Sequence, residues 1–190
     1  MAEHNVVIET YTGDEARALS GPVSAMYRAV FSLPPFSGNA EEFANQRSYY
    51  PDMTSRDGFR LALAKVGEQY AGFGYGFLLP AATHWWSGLA EPVSAEFARE
   101  DGHRTFALID YGVLPAWRGN GIGRAIHDRL LSASGAERAT LSVQPKATDT
   151  QAIYRRWGWR KVGHKDMDPP VPAPVFDILV LERTPPPELT

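Results

Sequence analysis

Residues 105–134 constrain the chain most. The run TFALIDYGVL carries Asp110 as its only charged residue and is closed by Pro115. Proline lacks the N–H that would continue a ladder, so the run reads as a strand that ends there. WRGNGIG, Trp117 to Gly123, follows directly, with Gly119, Gly121 and Gly123 inside five residues and Arg118 and Arg124 on either side. GRAIHDRLLSAS then spaces Ile122, Ile126, Leu130 and Ala133 as one face of a helix, and Gly135 supplies a stop. A glycine-rich turn from a strand end into a helix start collects free N–H groups at the positive end of the helix dipole. The ligand such a turn favours is an anion, and phosphate is the natural candidate.

Three phosphate loops can be compared with it. A P-loop ends in Lys-Ser or Lys-Thr, and Arg124 stands where the lysine would be. A dinucleotide fingerprint starts well with Gly119 and Gly121 but needs glycine at 124 and an acid about 20 positions after the loop, and has neither. The pattern [RQ]-x-x-G-x-[GA] is satisfied by Arg118, Gly121 and Gly123 after a strand ending in VLP. This resembles the acetyl-CoA loop of the GNAT N-acetyltransferases. IDYGVLPAWRGNGIGRAIHDRLL looks like the central strand–loop–helix motif of that family, and AIYRRWGW looks like its later A-x-Y-x-x-x-G-[FW] segment. The match runs over residues 105–163. One position departs from it: Ala147 stands where many relatives carry an asparagine that touches the cofactor arm.

The resemblance implies an α/β chain with the GNAT-like acyl-CoA N-acyltransferase fold. That fold has a mixed, mostly antiparallel sheet of about seven strands with about four helices. The order of elements agrees. HNVVIET reads as a strand, and GDEARALSGPVSAMYRAVFS as helix broken at Gly21-Pro22. AEEFANQRSYY reads as a helix capped by Asn39, and FRLALAKV and GEQYAGFGYGFLL as a hairpin turning at Gly67-Glu68. Gly72, Gly74 and Gly76 permit something to approach that second strand closely. Further on, RATLSVQ is a strand and TDTQAIYRRWG a helix capped by Thr148 or Asp149. WRKVGHKD and VFDILVLER are antiparallel neighbours joined through PPVPAP. One domain is expected over residues 1–183, with 80–104 an insertion holding the short helix PVSAEFARE, and 184–190 a disordered proline-rich tail.

Composition limits the partners. The 190 residues include no cysteine, which removes disulfides, cysteine–zinc sites and thiol nucleophiles. The five histidines are scattered without ligand spacing, so no metal is expected, and His127 reads as a solvent-facing helix residue. A net charge of −3 without a basic run points away from nucleic acid. The start lacks a signal peptide and no apolar run is long enough to span a bilayer, so a cytoplasmic protein away from membranes is expected. The expected partners are a small-molecule amine and acetyl-CoA, and by resemblance a second copy of the chain, with Trp85-Trp86 as a contact.

The resemblance also assigns roles. The main chain of Tyr111, Gly112 and Val113 would pair with the amides of the pantetheine arm, Gly112 would form a bulge, and an N–H near Val113 would stabilise the oxyanion. Gly119, Asn120, Gly121, Ile122, Gly123 and Arg124 would offer N–H groups to the pyrophosphate. Arg118 and Arg124 either neutralise phosphates or form a solvated helix end. Tyr154 would protonate the departing thiolate, its other reading being a core tyrosine against Ile153 and Trp157. Trp157 and Trp159 read as core. Asp110 either contributes to the base, directly or through water, or is a structural carboxylate; Asp149, Glu96 or a histidine of the insertion could substitute. Tyr27, Phe31, Phe36, Tyr49, Tyr50, Tyr75, Trp85 and Trp86 either wall the acceptor groove or fill core and dimer contacts. Glu41, Glu42, Asp52 and Asp57 could receive a cationic amine or form ordinary surface. A peptide amine as acceptor and a non-catalytic acyl-CoA-binding module on the same fold are the alternatives.

Overall fold

Runs of successive buried residues along the inner strands set the architecture. The computed structural model describes residues 5–167 and 173–183. Along the chain come β1 (Val6–Tyr11), α1 (Gly13–Ala18), α2 (Ser20–Phe31), α3 (Ala40–Met53), β2 (Arg60–Val66), β3 (Gln69–Leu78), α4 (Ala95–Ala98) and β4 (Thr105–Val113). A 3-10 turn (Pro115–Trp117), α5 (Ile122–Ser134), β5 (Arg138–Val143), α6 (Thr148–Arg156), β6 (Arg160–Asp166) and β7 (Val175–Glu182) follow. The strands form one mixed sheet in the order β1-β2-β3-β4-β5-β7-β6. The pairs β1–β2, β2–β3, β5–β7 and β6–β7 are antiparallel. The expected mixed sheet of seven strands is therefore observed. The proline-rich tail at 184–190 and most of the PPVPAP link lie outside the described residues.

By compactness the chain divides into two units, Met1–Phe77 with Leu108–Ser134, and Leu78–Ala107 with Gly135–Thr190. In the first unit the two-residue period of β4 gives it two faces. Asp110 and Gly112 look toward the helices α2 and α3: Tyr49 of α3 bonds Asp110, and a Cβ added at Gly112 would stand 2.8 Å from Val30 of α2. Tyr111 looks the other way, toward α5. The glycines of β3 serve that second face. A Cβ at Gly72 would meet Ile126 at 2.9 Å and the Gly112 carbonyl at 2.8 Å, and one at Gly74 would meet Leu130 at 2.9 Å. Their bare backbone lets α5 press Ile126 and Leu130 onto the sheet, where each contributes roughly 1.5–3 kcal/mol.

Asn39 caps α3 as expected, accepting from the N–H groups of Glu41 and Glu42. Three local expectations are corrected. The first helical break falls at Leu19; Pro22 sits in the first turn of α2, where a missing N–H costs nothing. α6 starts from Ala147 with no side-chain cap. His127 is 2% exposed, because α5 buries the flank that carries it as well as the Ile126 stripe, and its Nδ1 lies 2.8 Å from Asp128 Oδ1.

In the second unit the segment between β3 and β4 contains only one helical turn, α4, capped by Ser94 on the Phe97 N–H. A buried polar cluster anchors it to β5. Arg138, 1% exposed, donates to Glu100 Oε1 at 2.8 Å, to the Phe97 carbonyl at 2.7 Å and to Thr105 Oγ1 at 2.7 Å. Its guanidinium lies over both the Trp86 and the Phe97 ring, which meet edge to face. Trp86 Nε1 and Thr105 Oγ1 also donate to Glu100 Oε1. Trp86 is thus core, and Trp85 is tied to Thr140 through its indole N–H.

Candidate active site

The anion loop is built by the residues the pattern selected. Gly119 and Gly121 take φ +80 and +75, the left-handed region that side chains disfavour. A Cβ added at either would meet nothing within 4 Å, so the outer side of the loop is open where a diphosphate would need to lie. Asn120 ties the turn to itself, donating from Nδ2 to the carbonyls of Trp117 and Arg118. Ile122 starts α5 with its side chain buried, which aims the first N–H groups of the helix out of the loop. Gly123 has a different reason to be glycine: a Cβ there would stand 2.6 Å from the Tyr111 hydroxyl.

The two arginines are engaged. Arg118 folds back so that Nε donates to the Val113 carbonyl at 3.1 Å, which leaves its terminal nitrogens for an anion. Arg124 pairs with Asp128 at 2.7 Å across one turn of α5, both half-exposed. The described residues therefore fit an anionic, phosphate-bearing cofactor at this loop: open glycine backbone, a helix start and two cations.

On the opposite face of β4, Asp110 is half-buried. Tyr49 donates to its Oδ2 at 3.0 Å, and Tyr75 donates to the same oxygen. Gln46 donates to the Tyr75 hydroxyl at 3.2 Å and accepts from Ser24 at 2.9 Å, so the tyrosine is held in turn. Among the described residues Asp110 has no ion-pair partner and its Oδ1 no hydrogen-bond partner. Loss of hydration pushes its pKa up to about 6, against the two phenolic donors, which favour the charged form. Burial in turn drives the phenols of Tyr27, Tyr49 and Tyr75 above their ordinary value, so all three stay protonated.

The aromatic residues divide. Tyr27, which is buried, clusters with the half-buried Phe31, Phe36 and Phe43. Tyr50 is core, fully buried and bonded to the Ala16 carbonyl. Asp149 and Glu96 are exposed on the first turns of α6 and α4, and His84 and His103 are exposed as well.

Tyr154 belongs to the second unit. It is 6% exposed, packs edge-on to Trp157 and beside Trp159, and its hydroxyl has no hydrogen-bond partner among the described residues. Burial raises its pKa. Two participants escaped the sequence. Gln46 was hidden in a polar helix stretch, and the pairing of Glu100 with Arg138 spans a segment without periodicity. An arginine opening an otherwise uncharged strand was the available signal for the second.

Comparison with known proteins matches the chain to the model of the acetyltransferase (GNAT) family over residues 24–159. An acetyltransferase from Thermus thermophilus shares the fold with TM-score 0.65 and 13% identity, covering 96% of this chain and 100% of that one. YncA from Salmonella typhimurium, solved with its cofactor acetyl-CoA, gives 0.61 and 14%, covering 98% and 99%. The ribosomal-protein-S18-alanine N-acetyltransferase from Escherichia coli gives 0.61 and 13%, covering 97% and 98%. None of the curated proteins compared matches the chain. Among the described residues, no helix is long and apolar enough to cross a membrane.

Proposed function

The chain belongs to the GNAT acetyltransferase family, and on that premise we propose that it transfers the acetyl group of acetyl-CoA directly to the primary amine of a small molecule. One observation carries the reading: Asp110 is a half-buried carboxylate with two phenolic donors and, among the described residues, no cation partner, on the strand that runs into the anion loop. A free alkylamine is protonated at neutral pH, with a reference pKa of about 10.4 for a lysine-like group, and must lose a proton before it can attack. With its pKa near 6, Asp110 is ionised at pH 7 and above, yet far more basic than an ordinary aspartate. The setting of that carboxylate, among side chains of α2, α3 and β3, favours a compact acceptor.

The loop residues Gly119 to Arg124 hold the diphosphate through backbone N–H groups, with Arg118 and Arg124 adding charge, and β4 from Tyr111 to Val113 holds the pantetheine arm. Acetyl-CoA, when bound, supplies the activated acetyl thioester. Asp110 accepts the proton from the ammonium nitrogen, whose freed lone pair forms the new C–N bond as the C–S bond breaks. A main-chain N–H near Val113 donates to the carbonyl oxygen while charge builds on it. Tyr154, kept protonated by burial, donates to the departing sulfur and regains a proton as the nitrogen gives up its second on becoming the amide.

The testing experiment measures CoA-thiol release from acetyl-CoA against polyamines, aminoglycosides, amino acids, arylalkylamines and short peptides, with a blank lacking acceptor. Release with one small-amine class supports the reading. Release with peptides alone transfers it to a peptide acceptor, and silence throughout favours an acyl-CoA-binding module. Two variants locate the parts. Tyr154→Phe should slow turnover strongly while acetyl-CoA still binds, and undiminished turnover removes Tyr154 from the mechanism. Gly121→Val should lose acetyl-CoA binding in calorimetry with the fold retained; unchanged affinity removes the loop.

A further inference from the structure

Asp110 receives two donors on one oxygen, Oδ2, and none on Oδ1 among the described residues. A lone donor leaves a carboxylate free to rotate and exchange its oxygens. Two tyrosines converging from different elements do not, because each phenol reaches its partner through only two side-chain torsions, and the Tyr75 ring is fully buried while Tyr49 is half-buried. Tyr75, fully buried, lies against Tyr50, Phe59 and Phe73 and is fixed at its hydroxyl by Gln46, which Ser24 holds. Tyr49 arrives from α3. The titratable groups facing the carboxylate are therefore Tyr49 of α3, Tyr75 of β3 and Tyr27 of α2, all neutral phenols, and no cation among the described residues pairs with it. A carboxylate in such surroundings lacks a counter-charge, and none of the described residues provides it.

We infer that Tyr49 and Tyr75 are positioning residues, a two-hydroxyl clamp that immobilises Oδ2 of Asp110 and reserves Oδ1 for the ammonium group of the acceptor. This rests on the acetyl-transfer reading of the site. The clamp selects acceptors that arrive as cations: an alkylammonium supplies the missing charge and surrenders its proton to Oδ1, whereas an arylamine, neutral at pH 7, offers no ion pair. Because both phenols stabilise the ionised form, removing either makes Asp110 harder to ionise.

The test follows the carboxylate itself. The full chain is labelled with [4-13C]aspartate and its carboxyl signals are titrated by NMR, Asp110 being assigned by the signal lost in Asp110→Asn. The expected result is a midpoint near 6 in the parent that rises by roughly one pH unit in Tyr49→Phe, the loss of one charge-assisted hydrogen bond. Tyr75→Phe should move it in the same direction, and it serves where Tyr49→Phe does not fold. In kcat/KM profiles with 2-phenylethylamine as probe, the acid limb should move up by the same amount, so that the deficit is larger at pH 6 than at pH 9. A midpoint unmoved in both variants, with native spectra, overturns the clamp, as does a deficit equal at every pH. The two readings separate: a moved midpoint with every amine inert refutes acetyl transfer but keeps the clamp, and a fixed midpoint with active turnover does the reverse.

Discussion

Glu100 and Asp110 are both acids set into apolar surroundings, one in each compact unit, and the protein treats them oppositely. Glu100 is given a full counter-charge, Arg138, itself packed against two aromatic rings and shared with a threonine and a backbone carbonyl. Asp110 is given, among the described residues, only neutral phenols. A neutralised carboxylate can hold a segment in place but has no basicity left to use. A carboxylate stabilised by dipoles alone keeps its basicity, and the fold bears the cost of its desolvation.

The contrast can be broken at four places. The largest effect is expected from Asp110→Asn, which should lower turnover by about 10²- to 10⁴-fold, the usual range for a general base; steady-state kinetics with an accepted amine decides it, and a loss under tenfold would make Asp110 structural. Next comes Glu100→Ala, which strands Arg138 as a buried unpaired charge and should destabilise by about 3–5 kcal/mol in denaturant melts. A loss below about 1 kcal/mol would mean that the pair holds nothing.

Third is the pH dependence of stability. Native Asp110 keeps its proton up to about pH 6, while the unfolded chain loses it near the ordinary value of about 3.9. Between these values the native state binds more protons, so stability falls as pH rises, by less than about 3 kcal/mol in total since the group is partly solvated. Asp110→Asn should remove that slope and melt no lower than the parent at pH 8, where Glu100→Ala melts well below it. Melts of both variants across pH 4 to 8 check this, and a parallel slope in Asp110→Asn refutes it. The smallest effect belongs to Asp128→Asn, which removes the carboxylate charge that Arg124 pairs with. Exposed pairs of this kind contribute under about 1 kcal/mol, so stability should hold while acetyl-CoA affinity rises about twofold in calorimetry; a weaker affinity would show that the pair orients Arg124 for the cofactor.

What could be read from the sequence follows the range of the interactions involved. The β4–loop–α5 unit was legible because each part is local: a proline stop, glycines at left-handed positions, a helical stripe. The hairpin turn at Gly67-Glu68 and the Asn39 cap were legible for the same reason. Asp110 was visible as a charge in an apolar strand, but its partners were not. Tyr49 and Tyr75 stood out only as aromatic residues, and which atom each would reach depends on how α3 crosses the sheet. His127 was misread because α5 buries more than one stripe. Break points and caps shifted by a few residues where a proline fits a first helical turn or a backbone start does without a side chain.

Gly123 and Tyr111 bind two positions into one hereditary unit. An alanine at 123 would strike the Tyr111 hydroxyl at 2.6 Å, but once that oxygen is gone the next neighbours, Val113 Cγ2 at 3.5 Å and Tyr111 Cζ at 3.7 Å, are at ordinary contact distance. Tyr111→Phe therefore opens a door that Gly123→Ala can pass through, and in the reverse order the tyrosine must first move aside. Descendants of this chain leave glycine at 123 more easily once the Tyr111 hydroxyl is gone, so a drift in the cofactor loop should be written first in the strand beneath it.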